Sequence, residues 1–307
     1  MVLAPQIGTS GCSRVVSRAD AGPFGWHLFR AAAAAMAAVL AAAASRVLSA
    51  ALIGLACLAP VAIADTAKPA AANSEMWVGA DAANDVWLLY SGSTLAPFGS
   101  VQADGFLLRA AGGYGQYAYS GQRRGTLRRF RAAFGFAEAL AGYQKRIGPL
   151  TAKAFVGIAA IDHTISPEDP VALGGLLMQG TDYGVKGVLE LWLNLGTDGW
   201  ASLDSSWTSA HQTYSSRLRV GYRVSAPFSI GLEATLNGNA LDAPDILADG
   251  SLREKLEPSY RLGVFARREW QSGEISISAG VARNGLDFEG DVGFEDLYGT
   301  VNWLTRF

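Results

Sequence analysis

Beyond residue 64 no stretch holds the ~18 uninterrupted apolar residues of a membrane helix, yet apolar and polar side chains alternate there in segment after segment. Val185, Leu189, Leu191, Leu193 and Leu195 share one parity, against Asp182, Lys186, Glu190 and Asn194 on the other. Leu218, Val220, Tyr222 and Val224 alternate with Arg217, Arg219 and Arg223, and Phe228, Ile230, Leu232, Ala234 and Leu236 with Ser229, Glu233, Thr235 and Asn237. Tyr260, Leu262, Val264 and Ala266 oppose Arg261, Arg267 and Glu269. Period 2 over about ten residues, repeated along a chain, marks strands with one apolar and one polar face, as in transmembrane barrels. In hydrocarbon every backbone polar group must be satisfied internally, so a membrane protein built of strands has to close on itself.

The count predicts an all-β fold, an antiparallel up-and-down transmembrane barrel of about 12 strands. The strands are expected near 75–82, 85–96, 104–119, 128–146, 149–165, 179–195, 199–212, 214–225, 227–238, 257–270, 274–287 and 296–307, with 75–96 as one bent strand the alternative for the first two. Connections alternate in length. Ile147-Gly148-Pro149, Gly196-Thr197-Asp198, Ala226-Pro227 and Ser272-Gly273 are tight turns, whereas 120–127, 162–178, 239–256 and 288–295 read as longer polar loops. Short periplasmic turns and long extracellular loops fit that pattern, with Tyr143, Phe228, Trp270 and Phe307 as the periplasmic aromatic girdle. Val301, Trp303 and Phe307 share one parity, so Phe307 is expected to be the aromatic membrane-insertion signal of a final strand. A soluble β-sandwich also alternates, but the export signal, the aromatic terminus and the strand lengths favour the barrel.

Arg46, the apolar run Val47 to Ala62 and the small-x-small pattern Ala62-Ile63-Ala64 read as a cleavable signal peptide. Residues 1–64 are the expected leader, with Met36 the alternative start, 65–74 a flexible lead-in and 75–307 the barrel. Cys12 and Cys57 lie in the leader, so cleavage would leave no disulfide and no thiolate metal site. The leader carries +3, and removing it from a whole-chain −2 leaves −5, which argues against nucleic acid or anionic lipid as the main partner.

The inward parity carries the charge: Arg109, Glu138, Lys153, Lys186, Glu190, Arg217, Arg219, Arg223, Glu233, Arg261, Arg267 and Glu269. Unpaired buried charges are costly, so mixed signs in a narrow lumen are expected to pair and stiffen the barrel. The row Arg217, Arg219, Arg223 suits an anionic or polyhydroxyl ligand, unless Glu190 and Glu233 neutralise it. Few inward aromatics are expected, with Phe155, Trp192 and Phe265 the candidates.

Catalytic signals are thin. Ser209 and His211 in the stretch 205–211 are a serine and histidine close in sequence, but their parity with Leu203 and Trp207 points to lipid or the outer rim. Asp162, His163, Glu168 and Asp169 fall in a polar loop with carboxylates for a cation but without the ligand spacing of a calcium loop. The sequence has no phosphate-cradling glycine motif, zinc motif or dinucleotide fingerprint, so no cofactor and no metal are expected.

Asp104-Gly105-Phe106-Leu107-Leu108-Arg109, Gly112-Gly113-Tyr114-Gly115 with Tyr117 and Tyr119, Gly142-Tyr143-Gln144, Gly148-Pro149-Leu150, the Asp162 to Pro170 segment, Arg217 to Tyr222, Tyr260 to Gly263, Ser278-Ala279-Gly280 and Tyr298-Gly299-Thr300 occur in one order. That ordered set resembles the cellulose biosynthesis protein BcsS family of bacterial outer-membrane proteins. Segments 121–131 and 239–256 look like local insertions. The resemblance implies an outer-membrane, non-enzymatic role in export or surface deposition of β-1,4-glucan. Its implied partners are outer-membrane lipid and the cellulose chain or other components of the cellulose synthase complex, and it transfers no catalytic residue. A general small-solute porin and an outer-membrane lipid hydrolase are the alternatives.

Overall fold

The computed structural model describes residues 72–123, 126–169, 178–239, 258–283 and 296–307. The leader 1–64, most of the lead-in, and loop segments 170–177, 240–257 and 284–295 lie outside the described residues.

Twelve strands are found among the described residues. They are β1 (Ser74–Ala83), β2 (Val86–Leu95), β3 (Gly105–Arg123), β4 (Thr126–Ile147), β5 (Leu150–Ser166) and β6 (Gly180–Leu195). Then come β7 (Gly199–Thr208), β8 (Thr213–Ser225), β9 (Phe228–Asn239), β10 (Ser259–Trp270), β11 (Gly273–Arg283) and β12 (Asp296–Arg306). Each pairs antiparallel with its sequence neighbours, and β1 pairs with β12 from Glu75↔Arg306 to Ala83↔Tyr298, so the barrel is closed. Closure leaves no edge strand with unpaired backbone groups. Residues 75–96 form two strands joined at Asn84 and Asp85, and the bent-strand alternative is corrected.

The outer wall is apolar. Val156, Ile158 and Leu232 are each more than 60% exposed, and Val185, Leu218, Val220, Ile230 and Leu262 face outward with them. A barrel in water buries such side chains, and this one presents them. Tyr143, Phe228, Trp270 and Phe307 are all exposed at the short-turn end, where Tyr143 meets Phe106 and Trp270 meets Trp303 edge to face.

Two boundaries differ from the sequence reading. The expected loop 120–127 is mostly strand, because the β3–β4 ladder runs out to Arg123↔Thr126. Apolar alternation ends there, but inward Tyr119 and Phe130 stack at 5.2 Å and outward Arg129 pairs with Asp85, so the hairpin has packing of its own. Strand β7 ends at Thr208 instead of 212. His211 and Gln212 take positive φ in a short 3-10 turn, Ala210–Gln212, so His211 leaves the strand parity assigned to it.

At the short-turn end the chain between β2 and β3 folds inward. Val101 N–H donates to Ala72 O and Ala96 N–H to Asn73 O, which ties residues 72–73 of the lead-in to this segment. Ala96 and Val101 pack with Leu107, Leu140 and Phe155. Asp104 accepts from Lys145 Nζ at 2.7 Å and from the Arg146 N–H at 2.8 Å, and these contacts hold its carboxyl below the ordinary range.

Candidate functional site

Antiparallel register carries the inward parity from strand to strand, so alternate residues of all twelve strands converge on one lumen. Arg109, Glu138, Lys186, Glu190, Arg217, Arg219, Glu233 and Arg261 all face it, and most of them pair. Arg109 Nη1 lies 2.5 Å from Glu190 Oε1, with its guanidinium 3.9 Å from the Phe155 ring. Lys153 reaches Glu75 at 3.3 Å, and Lys186 pairs with Glu138. Arg217 donates Nε to Glu233 Oε2 at 2.7 Å, and Tyr298 donates its hydroxyl to Glu233 Oε1 at 3.2 Å. Arg261 grips Asp81 at 2.6 Å.

The row Arg217, Arg219, Arg223 is thereby divided. Arg217 belongs to Glu233, and among the described residues Arg219 pairs with Asp204, at 3.6 Å. Arg223, near the short-turn rim, donates to Asn194 Oδ1 at 3.0 Å and to Thr197 O at 3.4 Å. Glu190 neutralises Arg109 rather than this row, which corrects half of the neutralising arrangement expected from sequence.

The inward aromatics are far more numerous than the three expected. Trp77, Tyr90, Tyr117, Tyr119, Phe130, Phe134, Phe136, Trp200 and Tyr298 share the inward parity with Phe155, Trp192 and Phe265. Val86, Tyr117, Tyr119, Phe130, Ala132, Phe134 and Ile165 form a buried cluster in the long-loop half. In the other half Trp192 and Trp200 stack at 4.3 Å, with Trp200 fully buried. Inward glycines on adjacent strands were the available signal. A Cβ on Gly221 would enter the Trp200 indole and one on Gly142 the Phe155 ring, so each ring lies flat across a neighbour that has no side chain.

A cavity of about 900 Å³ is lined by residues from Trp77, Tyr90 and Arg109 at mid-barrel, past Trp192, to Gly148, Pro149 and Asn194 at the short turns. Its wall includes nine basic residues (Arg109, Arg146, Lys153, Lys186, Arg217, Arg219, Arg223, Arg267 and Arg306) and six acidic ones (Glu75, Glu138, Glu190, Asp204, Glu269 and Glu274). The chain as a whole is acidic, yet this cavity is lined by a cationic excess.

The loop candidates do not converge. Asp162 and His163 lie in β5, not in a loop, paired with Thr181 and Gly180. Asp162 faces outward and accepts from Thr181 Oγ1, while His163 is buried between Phe134, Tyr117 and His211. Asp169 is fully buried in a 2.7 Å pair with Arg123, and Glu168 is exposed. Alternation sends Asp162 and His163 to opposite sides of the wall, so these two belong to the strand and not to the polar loop in which the sequence reading also placed them. The serine and histidine pair fares likewise. Ser209 Oγ accepts the Val185 N–H at 2.9 Å, and the His211 ring turns inward onto His163, 5.3 Å between centroids.

The sequence model of the family described as "Cellulose biosynthesis protein BcsS" matches residues 76–245, more than half of the chain. No curated protein matches the chain in sequence. Among solved structures, the KdgM porin is 10% identical, with a TM-score of 0.41, over 76% of this chain and 99% of that one. The translocator domain of autotransporter NalP from Neisseria meningitidis is 12% identical, with a TM-score of 0.42, over 89% and 98%. The TodX deltaS2S3 mutant monoaromatic hydrocarbon channel is 10% identical, with a TM-score of 0.47, over 78% and 91%. At these identities and scores the likenesses carry no argument about function.

Proposed function

Since this chain belongs to the BcsS family of cellulose biosynthesis proteins, we propose that it is a non-enzymatic outer-membrane barrel accessory to cellulose biosynthesis, aiding export or surface deposition of the β-1,4-glucan. Placement in the outer membrane is supported by the closed twelve-strand wall and its exposed apolar face, which water would not tolerate over such an area. The observation that carries the accessory role, as against a glucan conduit, is the filling of the long-loop half of the lumen. In the long-loop half the rings of Tyr117, Tyr119, Phe130 and Phe134 pack on one another, and along the arc from β9 to β1 Arg261 pairs with Asp81 and lies against the Tyr298 ring, whose hydroxyl donates to Glu233. Rings and ion pairs satisfied by each other are a stiffening core, whereas a polysaccharide passage needs aromatic faces left open to the sugar.

Deletion of the protein is expected to reduce or mislocalise cellulase-sensitive glucan outside the cell at unchanged synthase level, with recovery on complementation. Unchanged glucan would refute the reading. A competing reading, a porin for small solutes, is favoured by the 900 Å³ cavity. It requires steady ion conductance from purified barrel in a planar bilayer, and the accessory reading expects none.

A further inference from the structure

We propose that the short-turn half of the lumen is a binding site for an anionic saccharide, held by Arg219, Arg223 and Arg267 beside Trp192. The proposal rests on the lumen geometry alone and does not depend on a role in cellulose biosynthesis.

Most of the cavity's cations are spent on carboxylates, and among the described residues the donors left unmet in this wall gather at Arg219 and Arg267, beside Arg223. Arg219 meets Asp204 only at 3.6 Å, and its buried Nε has no acceptor among the described residues. Arg267 is 6% exposed and uses Nη2 on Glu269 and Glu274, which leaves Nε and Nη1 without an acceptor among the described residues. Arg223 is held by neutral oxygens, those of Asn194 and Thr197. Ser202, 5% exposed and opposite Arg219 in the β7–β8 ladder, has an Oγ with no partner among the described residues. Buried guanidinium N–H groups without acceptors are rare because each forfeits its hydration, so several in one wall point to an acceptor that enters from outside.

The geometry keeps these groups together. Arg223, Ser229 and Arg267 lie in one row across β8, β9 and β10, and Arg219 lies on the same face of β8. Trp200 lies over Gly221, between Arg219 and Arg223, and donates Nε1 to Ser229. The Arg267 guanidinium is 4.7 Å from the Trp192 ring and 5.3 Å from the Trp200 ring, and that of Arg219 is 5.9 Å from Phe265. Arginines braced on aromatic rings are pre-organised, and their fork matches a carboxylate or phosphate. A bare anion would leave most of a 900 Å³ cavity unused, whereas the neutral Ser202 hydroxyl and Asn194 amide suit sugar hydroxyls. Gly148, Pro149 and Asn194 in the cavity wall put the approach at the short-turn end.

The test is calorimetric titration of the full barrel in micelles with three probes: cellotriose, the same trimer oxidised to carboxylates at C6, and inorganic phosphate. The oxidised trimer is expected to bind, at least tenfold more tightly than either of the others. Arg219→Gln and Arg223→Gln, each confirmed to fold by heat-modifiable electrophoretic mobility, are expected to weaken it about tenfold. Equal binding of cellotriose would overturn the anionic character and leave the cellulose reading untouched. Phosphate binding as tight as the oxidised trimer would mean an adventitious ion only. No binding, or unchanged affinity in both folded variants, would mean that water alone serves these donors and would overturn the site.

Discussion

Glu233 is the acceptor on which the middle of the barrel turns, and Glu233→Ala tests whether inward charges hold the wall together. Its side chain is 2% exposed and takes two hydrogen bonds from Arg217, one of them at 2.7 Å, together with the Tyr298 hydroxyl at 3.2 Å. Truncation leaves a guanidinium and a phenol facing an apolar gap. Removing one partner of a buried pair costs about 3–5 kcal/mol. Arg217 is 21% exposed and lines the cavity, so water recovers part of that, and the expected loss is about 2–3 kcal/mol. The assay is urea unfolding of the barrel in micelles, followed by tryptophan fluorescence. Arg217→Met added to Glu233→Ala removes the stranded cation, and the double variant is expected to recover at least ~1 kcal/mol of the single variant's loss. A cost below about 0.5 kcal/mol for Glu233→Ala, or a double variant no more stable than the single, would refute the idea that pairing, and not backbone closure alone, stabilises the lumen.

Three further outcomes are expected. Gly221→Val drives a side chain into the Trp200 indole and separates it from Ser229, costing about 1–3 kcal/mol, with altered near-ultraviolet circular dichroism; an unchanged spectrum would contradict the packing. Ile158→Lys, in the exposed apolar band, costs about 2–4 kcal/mol on folding into lipid vesicles if that band meets hydrocarbon, and a neutral effect would argue for a soluble barrel. His211→Ala is expected to leave phospholipid turnover in the purified protein at the level of the unaltered chain; a fall in turnover would restore the hydrolase alternative, which the engagement of Ser209 Oγ by the Val185 N–H and of the His211 ring by His163 disfavours.

Much of the wall was legible in the sequence. Strand alternation is a local property of extended backbone, so the parity of Leu189, Leu191 and Leu193 against Lys186 and Glu190 identified the outer and inner faces without knowledge of any partner strand. Glycine and proline marked the short turns because Gly148 and Gly196 take positive φ there. Phe134 and Phe136 were missed because their outward neighbours are Ala133, Gly135 and Ala137, a size pattern opposite to the usual apolar exterior. Ser209 and His211 were misplaced because a 3-10 turn interrupts the parity on which the count relied.

The sequence by itself determined the strand count, the direction of the side chains wherever apolar and polar residues alternate and, through its ordered segments, the family. Only the tertiary structure decided who meets whom across the lumen. Arg261 finds Asp81 from 180 residues away and Arg109 finds Glu190 from 81, partners fixed by strand order and closure and not by spacing. The same closure left Arg219 and Arg267 with donors unmet while Arg217 was satisfied, although Arg217 and Arg219 lie two residues apart on one face. Period tells a side chain to face inward, and closing the barrel then decides whether a partner is waiting there.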